Sequence, residues 1–278
     1  MIGQEIRIES IGDLIEFSFE ESLREDIKRH LVYYAFRGLA KASYTLTSSL
    51  KRNSRGNAAI VEKRSLINFQ KYGQMLEPLV ARSIWDCMII AQHHGVPTRL
   101  LDWTYSPLIA MHFATAHVDS PEEIDEDAAI WAIRIDQVNK MLPQHYKDAI
   151  EKHKALAFTF DMLKKVYKDE EEYEVLRRYD EDMGDKRFLF FEPPSVDARI
   201  VNQYALFSLL PSALDPLDDF LENTPRDLLF ARKLILPKEL LAGFRDKLDI
   251  MNINERMLFP GLDGLAGWLR RKYYHRIK

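Results

Sequence analysis

Segments with strand character are scattered among helical ones without a regular β-then-α alternation. Residues 31–36, 128–135, 188–191, 199–210 and 229–236 are rich in branched and aromatic side chains. Residues 10–17, 57–91, about 137–185 and 238–274 carry apolar residues at threes and fours instead. This order predicts an α+β fold, with a mixed or antiparallel β-sheet core surrounded by helices. No Gly-x-Gly-x-x-Gly follows a strand and no Gly-Lys-Ser/Thr occurs, so the phosphate-cradling signature of the doubly wound nucleotide folds is missing.

A chain of 278 residues that is 46% hydrophobic can bury a large core. It is read as one domain over 1–278, with a helical insertion at about 137–185 and a C-terminal helical tail, 238–278, packed on the core. The end of the insertion, 168–185, reads as too polar to join that core. Pro78 is expected to break the 57–91 helix in two, and Gly95 with Pro97 to end its second half. Ser106-Pro107 supplies an N-cap and a proline at the first helical position, so another helix starts there.

The formal charge of -4 sets up no overall field for nucleic acid or an anionic membrane. A nucleic-acid partner is thus possible but not indicated by net charge. The lone Cys87 lies in an apolar helical run, where it reads as a small buried hydrophobe and suits a reducing cytoplasm. No leader-like start and no long apolar span is evident, so the expectation is a cytoplasmic protein without a membrane partner.

The densest chemistry lies in Gln92-His93-His94-Gly95-Val96-Pro97-Thr98-Arg99-Leu100-Leu101-Asp102-Trp103-Thr104-Tyr105-Ser106-Pro107, just before an apolar helix. Adjacent His93 and His94 diverge by ~100° on a helix, so they cannot share a metal ion without backbone distortion, and no metal ligands are assigned. One imidazole can face a cleft while the other caps or packs. Arg99 and Asp102 are expected to brace each other across a bend that holds Trp103. Thr104 and Ser106 stand at a helix start, where free N–H groups attract anions. Upstream, Arg37 ends a strand and can fork onto a phosphate or carboxylate, and Gly38 would let a ligand approach the backbone. Downstream, Gln203 falls on an apolar strand, where its amide must bond to backbone or to a ligand. A metal-dependent hydrolase or nuclease built on His93, His94, Asp102 and Glu192, or a non-catalytic ligand-binding domain, are the alternatives to a nucleotide-handling enzyme.

Taken together, Phe36-Arg37-Gly38, the Gln92–Thr104 run with Ser106-Pro107 and Ala110-x-x-Phe113-Ala114, and Arg199-x-x-x-Gln203-x-x-x-Phe207 resemble the FRG-domain family, named for its Phe-Arg-Gly tripeptide. The likeness spans roughly 25–212, and the Phe259–Gly264 block is similar to the family's tail. In order and residue type, the three motifs also resemble those of NAD-dependent ADP-ribosyltransferases. That second resemblance implies an ADP-ribosyltransferase-like sheet, NAD as cofactor, an unknown macromolecular acceptor and a bacterial toxin or phage-defence setting. It further implies that Arg37, Gln203, Glu192 and His93 act catalytically. Gly38, Arg99, Asp102, Thr104 and Ser106 would join Arg37 in binding the dinucleotide, with Trp103 or Tyr34 stacking on the pyridine. The chain departs from that pattern at Gln203, which stands where a glutamate is expected, and Glu192 on the preceding strand is the substitute.

Overall fold

A computed structural model describes residues 5–274 except 21, 32, 118–124, 169, 172 and 196. The acidic loop at 121–127 therefore lies mostly outside the described residues. In chain order the elements are β1 (Ile6–Arg7), α1 (Ile11–Phe19), β2 (Leu23–Arg24), β3 (Arg29–His30), β4 (Tyr34–Leu39), α2 (Ser49–Asn53), α3 (Ala58–Gly73), α4 (Ile84–His93), β5 (Leu100–Thr104), α5 (Pro107–Ala114) and β6 (Ala128–Arg134). There follow α6 (Ile135–Met141), α7 (Gln144–His153), β7 (Phe158–Thr159), α8 (Phe160–Val166), α9 (Val175–Met183), β8 (Leu189–Glu192), α10 (Ala198–Asn202) and β9 (Ala205–Leu209). The chain ends with α11 (Asp218–Asn223), β10 (Ala231–Leu236), α12 (Leu241–Ile250), α13 (Glu255–Leu258) and α14 (Leu262–Tyr273). No described helix is long and apolar enough to cross a membrane.

The fold is α+β, as the irregular order of elements implies. One mixed sheet runs β1-β10-β6-β4-β5-β9-β8-β7, and β2 and β3 form a separate hairpin. Local chemistry sets the helix starts: the Ser10 side chain accepts from the Asp13 N–H while Asp13 returns the bond, and Ser106 caps α5 with Pro107 inside the first turn. Pro78 opens a short 3-10 turn at Pro78–Ala81 that separates α3 from α4, and Gly95 (φ 82°) takes the left-handed conformation just beyond α4.

The sheet is two half-sheets held by one residue pair. Strand β4 pairs with β6 along its whole length, and β5 does the same with β9. Between β4 and β5 only Phe36 and Thr104 are in register. Helix α5 covers the β4–β6 half through Ala110, Met111 and Ala114, while α4 covers the β5–β9 half with Ile84, Met88 and Ile89. The opposite face carries Leu101, Trp103, Trp131, Phe190 and Leu206 under Leu217 and Leu221.

Three expectations need correction. The stretch 100–104 is a central strand and not a bend: Leu100 and Leu101 are buried on opposite faces, a sign of two-sided burial. The stretch 199–210 is not one strand. The Asp197 side chain caps a short helix by accepting from the Arg199 N–H at 2.6 Å, and Tyr204 turns the chain in the left-handed region (φ 51°) before β9 begins. Finally, 168–185 does join the core, because α9 buries Val175, Leu176, Tyr179 and Met183 against α4 and β9, and the Tyr179 hydroxyl donates to the Leu209 carbonyl at 2.6 Å.

The tail docks through a buried polar chain. Arg245 on α12 donates from Nη1 to the His112 carbonyl at 2.9 Å and lies 3.0 Å from His112 Nδ1; its Nη2 bonds Glu255, which Arg271 also holds. Burial first, then the Arg245 charge, pushes His112 down to about 3, and Arg271 and Arg245 outweigh burial to hold Glu255 down at about 2. Both folded-state values lie below the unfolded ones. His112 therefore contributes stability that is complete above about pH 6.5 and is lost as the pH falls toward its folded value near 3. Thermal unfolding followed from pH 7.5 to pH 5 is expected to show a falling midpoint, with His112→Gln flattening that fall. A wild-type midpoint that rises on acidification is the contrary result.

Candidate functional site

Where β4 and β5 part, a cavity of about 540 Å³ opens between α4 and α5, within the range that holds a small organic ligand. Its walls include Arg37, Gly38 and Tyr44 from one side, Gln92 and His93 from α4, Asp102 and Thr104 from β5, Phe113 from α5, and Arg199 and Gln203 from α10.

Arg37 spans the slit. Its Nη1 donates to the Asp102 carbonyl, closing a gap that ladder bonds would otherwise fill, and lies 3.9 Å from Asp102 Oδ2. Its Nε is buried without a partner among the described residues. Burial lowers the proton affinity of the guanidinium, Asp102 opposes this, and the nearby Arg52 charge adds to it. The Asp102 carboxylate is 65% exposed and also accepts from Gln92 Nε2 at 3.1 Å. Gln92 in turn accepts from the Thr98 hydroxyl, so its amide cannot rotate freely. On the far wall His93 Nε2 lies 2.8 Å from Asp197, which links the end of α4 to the cap of α10.

The site residues expected from sequence divide into those that meet in this cleft and those that do not. Arg37, His93, Asp102, Thr104 and Gln203 meet there, and Gly38 contributes backbone. Gly38 leaves room for a helix instead of a ligand: a Cβ there would sit 2.0 Å from the Ala110 carbonyl oxygen of α5. Thr104 is buried, and its hydroxyl donates to the Gln203 carbonyl at 2.8 Å, so it locks β5 to the turn after α10. Gln203 itself caps α10 and donates its amide to the Leu258 carbonyl at 3.1 Å. The expected Gln203 strand position is therefore replaced by a tie to the C-terminal tail.

Trp103 backs the cleft but is 3% exposed, edge-on to Phe190, with its indole N–H on the Ser208 hydroxyl at 2.9 Å. Tyr34 lies at 1% exposure beneath Phe230 and Arg134, away from the cavity walls. Neither ring offers a free face for a pyridine. Ser106 serves α5 as its cap. Glu192 lies outside the cleft in a separate depression with Arg82, Asp86 and Pro193, and accepts from the Tyr105 hydroxyl at 2.7 Å. Arg99 does not brace Asp102; it is buried with Glu62 and Asp180. His94 meets His93 edge-on at 5.3 Å, and no described group of three His, Cys, Asp or Glu could hold a metal ion.

Tyr44 and Arg199 line the cleft and Asp197 holds His93 at its edge, though the sequence reading picked out none of the three. Asp197 was discoverable, since Asp before Ala-Arg is a helix-cap pattern that would also have placed Arg199 on a helix. Tyr44 carries no local signal, because only the chain reversal after β4 brings it to the mouth.

No curated protein and no solved structure matches the chain. A family model does match, over residues 33–123, which take in β4, α4, β5 and α5 and so most of the walls of the cleft. That model is the FRG domain, and over that stretch the chain matches it.

Proposed function

We propose that the cleft binds an NAD-class dinucleotide and breaks its nicotinamide–ribose bond, as an ADP-ribosyltransferase-like enzyme or a glycohydrolase would. The observation that carries this reading is the parted sheet, which leaves the Arg37 guanidinium and the Asp102 carboxylate, 3.9 Å apart, together on the wall of a ligand-sized cavity. Breaking that bond passes through an oxocarbenium-like ribose, which a carboxylate stabilises while a guanidinium holds the pyrophosphate. Asp102 takes the carboxylate role that neither Glu192 nor Gln203 is placed to fill. Phe113, half-buried on α5 and edge-on to Phe259, takes the stacking role in place of Trp103 and Tyr34. Consumption of NAD would suit a cytoplasmic toxin or phage-defence protein.

Incubation with NAD is expected to release free nicotinamide, and Arg37→Ala or Asp102→Asn to lower the rate by about 10²-fold, the usual cost of one electrostatic group. No release by the wild type, or equal release by both variants, removes the enzyme reading. The tie of Gln203 to Leu258 favours a second reading, a cleft that binds without turnover. Saturable NAD binding that Arg37→Ala abolishes, with no nicotinamide formed, would select it.

A further inference from the structure

Among the described residues the cleft wall carries two arginines, Arg37 and Arg199, and one carboxylate, Asp102. Asp102 lies 3.9 Å from Arg37 and accepts from Gln92, so the acid of the wall offsets the first guanidinium and leaves the second. Arg199 stands on α10, outside the stretch that the family model matches. Its guanidinium carbon is 4.8 Å from the centroid of the Phe259 ring, and that ring is edge-on to Phe113, another wall residue, at 6.2 Å. Stacking holds a guanidinium by its face and leaves its N–H donors, which lie in the plane, free to bond.

Those donors are unused. The Arg199 side chain makes no ion pair and no hydrogen bond among the described residues. The nearest acid in sequence, Asp197, is engaged elsewhere: its Oδ1 accepts from the Arg199 backbone N–H at 2.6 Å and its Oδ2 lies 2.8 Å from His93 Nε2. Helix α10 is also tied to the segment that carries Phe259, since Asn202 donates to the Met257 carbonyl at 2.7 Å and Gln203 to the Leu258 carbonyl at 3.1 Å. A guanidinium fixed on a cavity wall with its donors unbonded is preorganised for an anion. One arginine that shares its charge with Asp102 cannot match the two charges of a diphosphate, whereas two arginines can, each forking onto the oxygens of one phosphate.

We propose that Arg199 forms the second half of a diphosphate clamp with Arg37, so that the cleft selects its ligands by a diphosphate and not by a single phosphate. The clamp deepens the reading of the cleft as a dinucleotide site and rests on it for the role of Arg37, but it requires no bond to be broken.

The test is isothermal titration of the full chain with inorganic pyrophosphate, ADP and AMP in metal-free buffer. Pyrophosphate and ADP are expected to bind, with AMP at least about tenfold weaker for want of the second charged contact. Arg199→Ala is expected to weaken pyrophosphate binding roughly 10- to 100-fold, the cost of one charged hydrogen-bonding group. Arg199→Lys, which keeps the charge and loses the fork, should fall between the two. Unfolding midpoints close to that of the wild type are expected for both variants, because the side chain bonds nothing but the face of a ring. Loss of pyrophosphate binding in Arg199→Ala, with no nicotinamide released from NAD by the wild type, upholds the clamp and removes the enzyme reading; nicotinamide release with ADP and AMP bound equally does the reverse. No pyrophosphate binding by the wild type, citrate bound as tightly as pyrophosphate, or an Arg199→Ala affinity within about twofold of the wild type overturns the proposal.

Discussion

Gly38→Ala is expected to destabilise the fold by about 3 kcal/mol or more, beyond the usual cost of an overpacked core. The added Cβ would lie 2.0 Å from the Ala110 carbonyl oxygen and 2.6 Å from the Ala114 nitrogen, both backbone atoms of α5. A flexible side chain could swing aside, but a helix must move as a body. Its other anchors oppose that movement, since Ala110, Met111 and Ala114 are packed into the core beside β4 and β6. Against a total stability of ~5–15 kcal/mol, such a loss should lower the unfolding midpoint by many degrees or leave little folded protein. Chemical denaturation of both proteins measures it. A loss below 1 kcal/mol would mean that α5 does not approach β4 this closely.

The Phe-Arg-Gly tripeptide is thus three structural decisions in a row. Phe36 provides the one residue pair that joins the half-sheets, Arg37 fills the slit that opens immediately after it, and Gly38 admits the helix that forms one wall. The cleft exists because the first of these pairings is not continued. Binding chemistry and fold are therefore set by the same residues, and a substitution at Arg37 tests function most cleanly when its unfolding curve is recorded alongside.

What could be read along the chain follows from how local each signal was. The capped start at Ser106, the break at Pro78 and the helix end at Gly95 depend on neighbours in sequence, and all are found where the residues imply them. Strand β5 was misread because Arg99, Asp102 and Thr104 make it look polar; its partners β4 and β9 come from distant stretches, and only they reveal a buried strand. The reverse error at 199–210 arose because Ile200, Val201, Ala205 and Phe207 mimic a strand, while the cap at Asp197 and the turn at Tyr204 override that preference. In the cleft, Arg37, His93 and Asp102 are wall residues that their type singles out in sequence, but the displacement of Glu192 and Tyr34 from its walls and the burial of Trp103 behind them depend on which way each strand faces. That orientation is fixed by register across the sheet and has no local signature.

The second large effect lies away from the cleft. Glu62→Ala is expected to cost about 3–5 kcal/mol, the penalty of leaving a buried charge without its partner. Arg99 stands at the entrance to β5 with 4% of its side chain exposed, and Glu62 on α3 is 2% exposed. Both carboxylate oxygens of Glu62 accept from Arg99 Nε at 2.9 Å, while Nη1 reaches Asp180 on α9 at 2.6 Å. Burial alone would lower the proton affinity of Arg99; Glu62 and then Asp180 outweigh it and raise that affinity. The guanidinium therefore stays charged, and removing Glu62 leaves only Asp180, whose oxygens also accept from the Ser212 N–H at 3.1 Å and the Ser212 hydroxyl at 2.8 Å. Because this cluster joins α3, β5 and α9, the loss should appear as one cooperative drop in the denaturation midpoint. Arg99→Met in the Glu62→Ala background should recover part of the loss, since two apolar groups in place of a broken pair remove the stranded charge. A single Glu62→Ala variant as stable as the wild type would show that Arg99 finds water or another acid, and that the pair does not tie the helices to the strand.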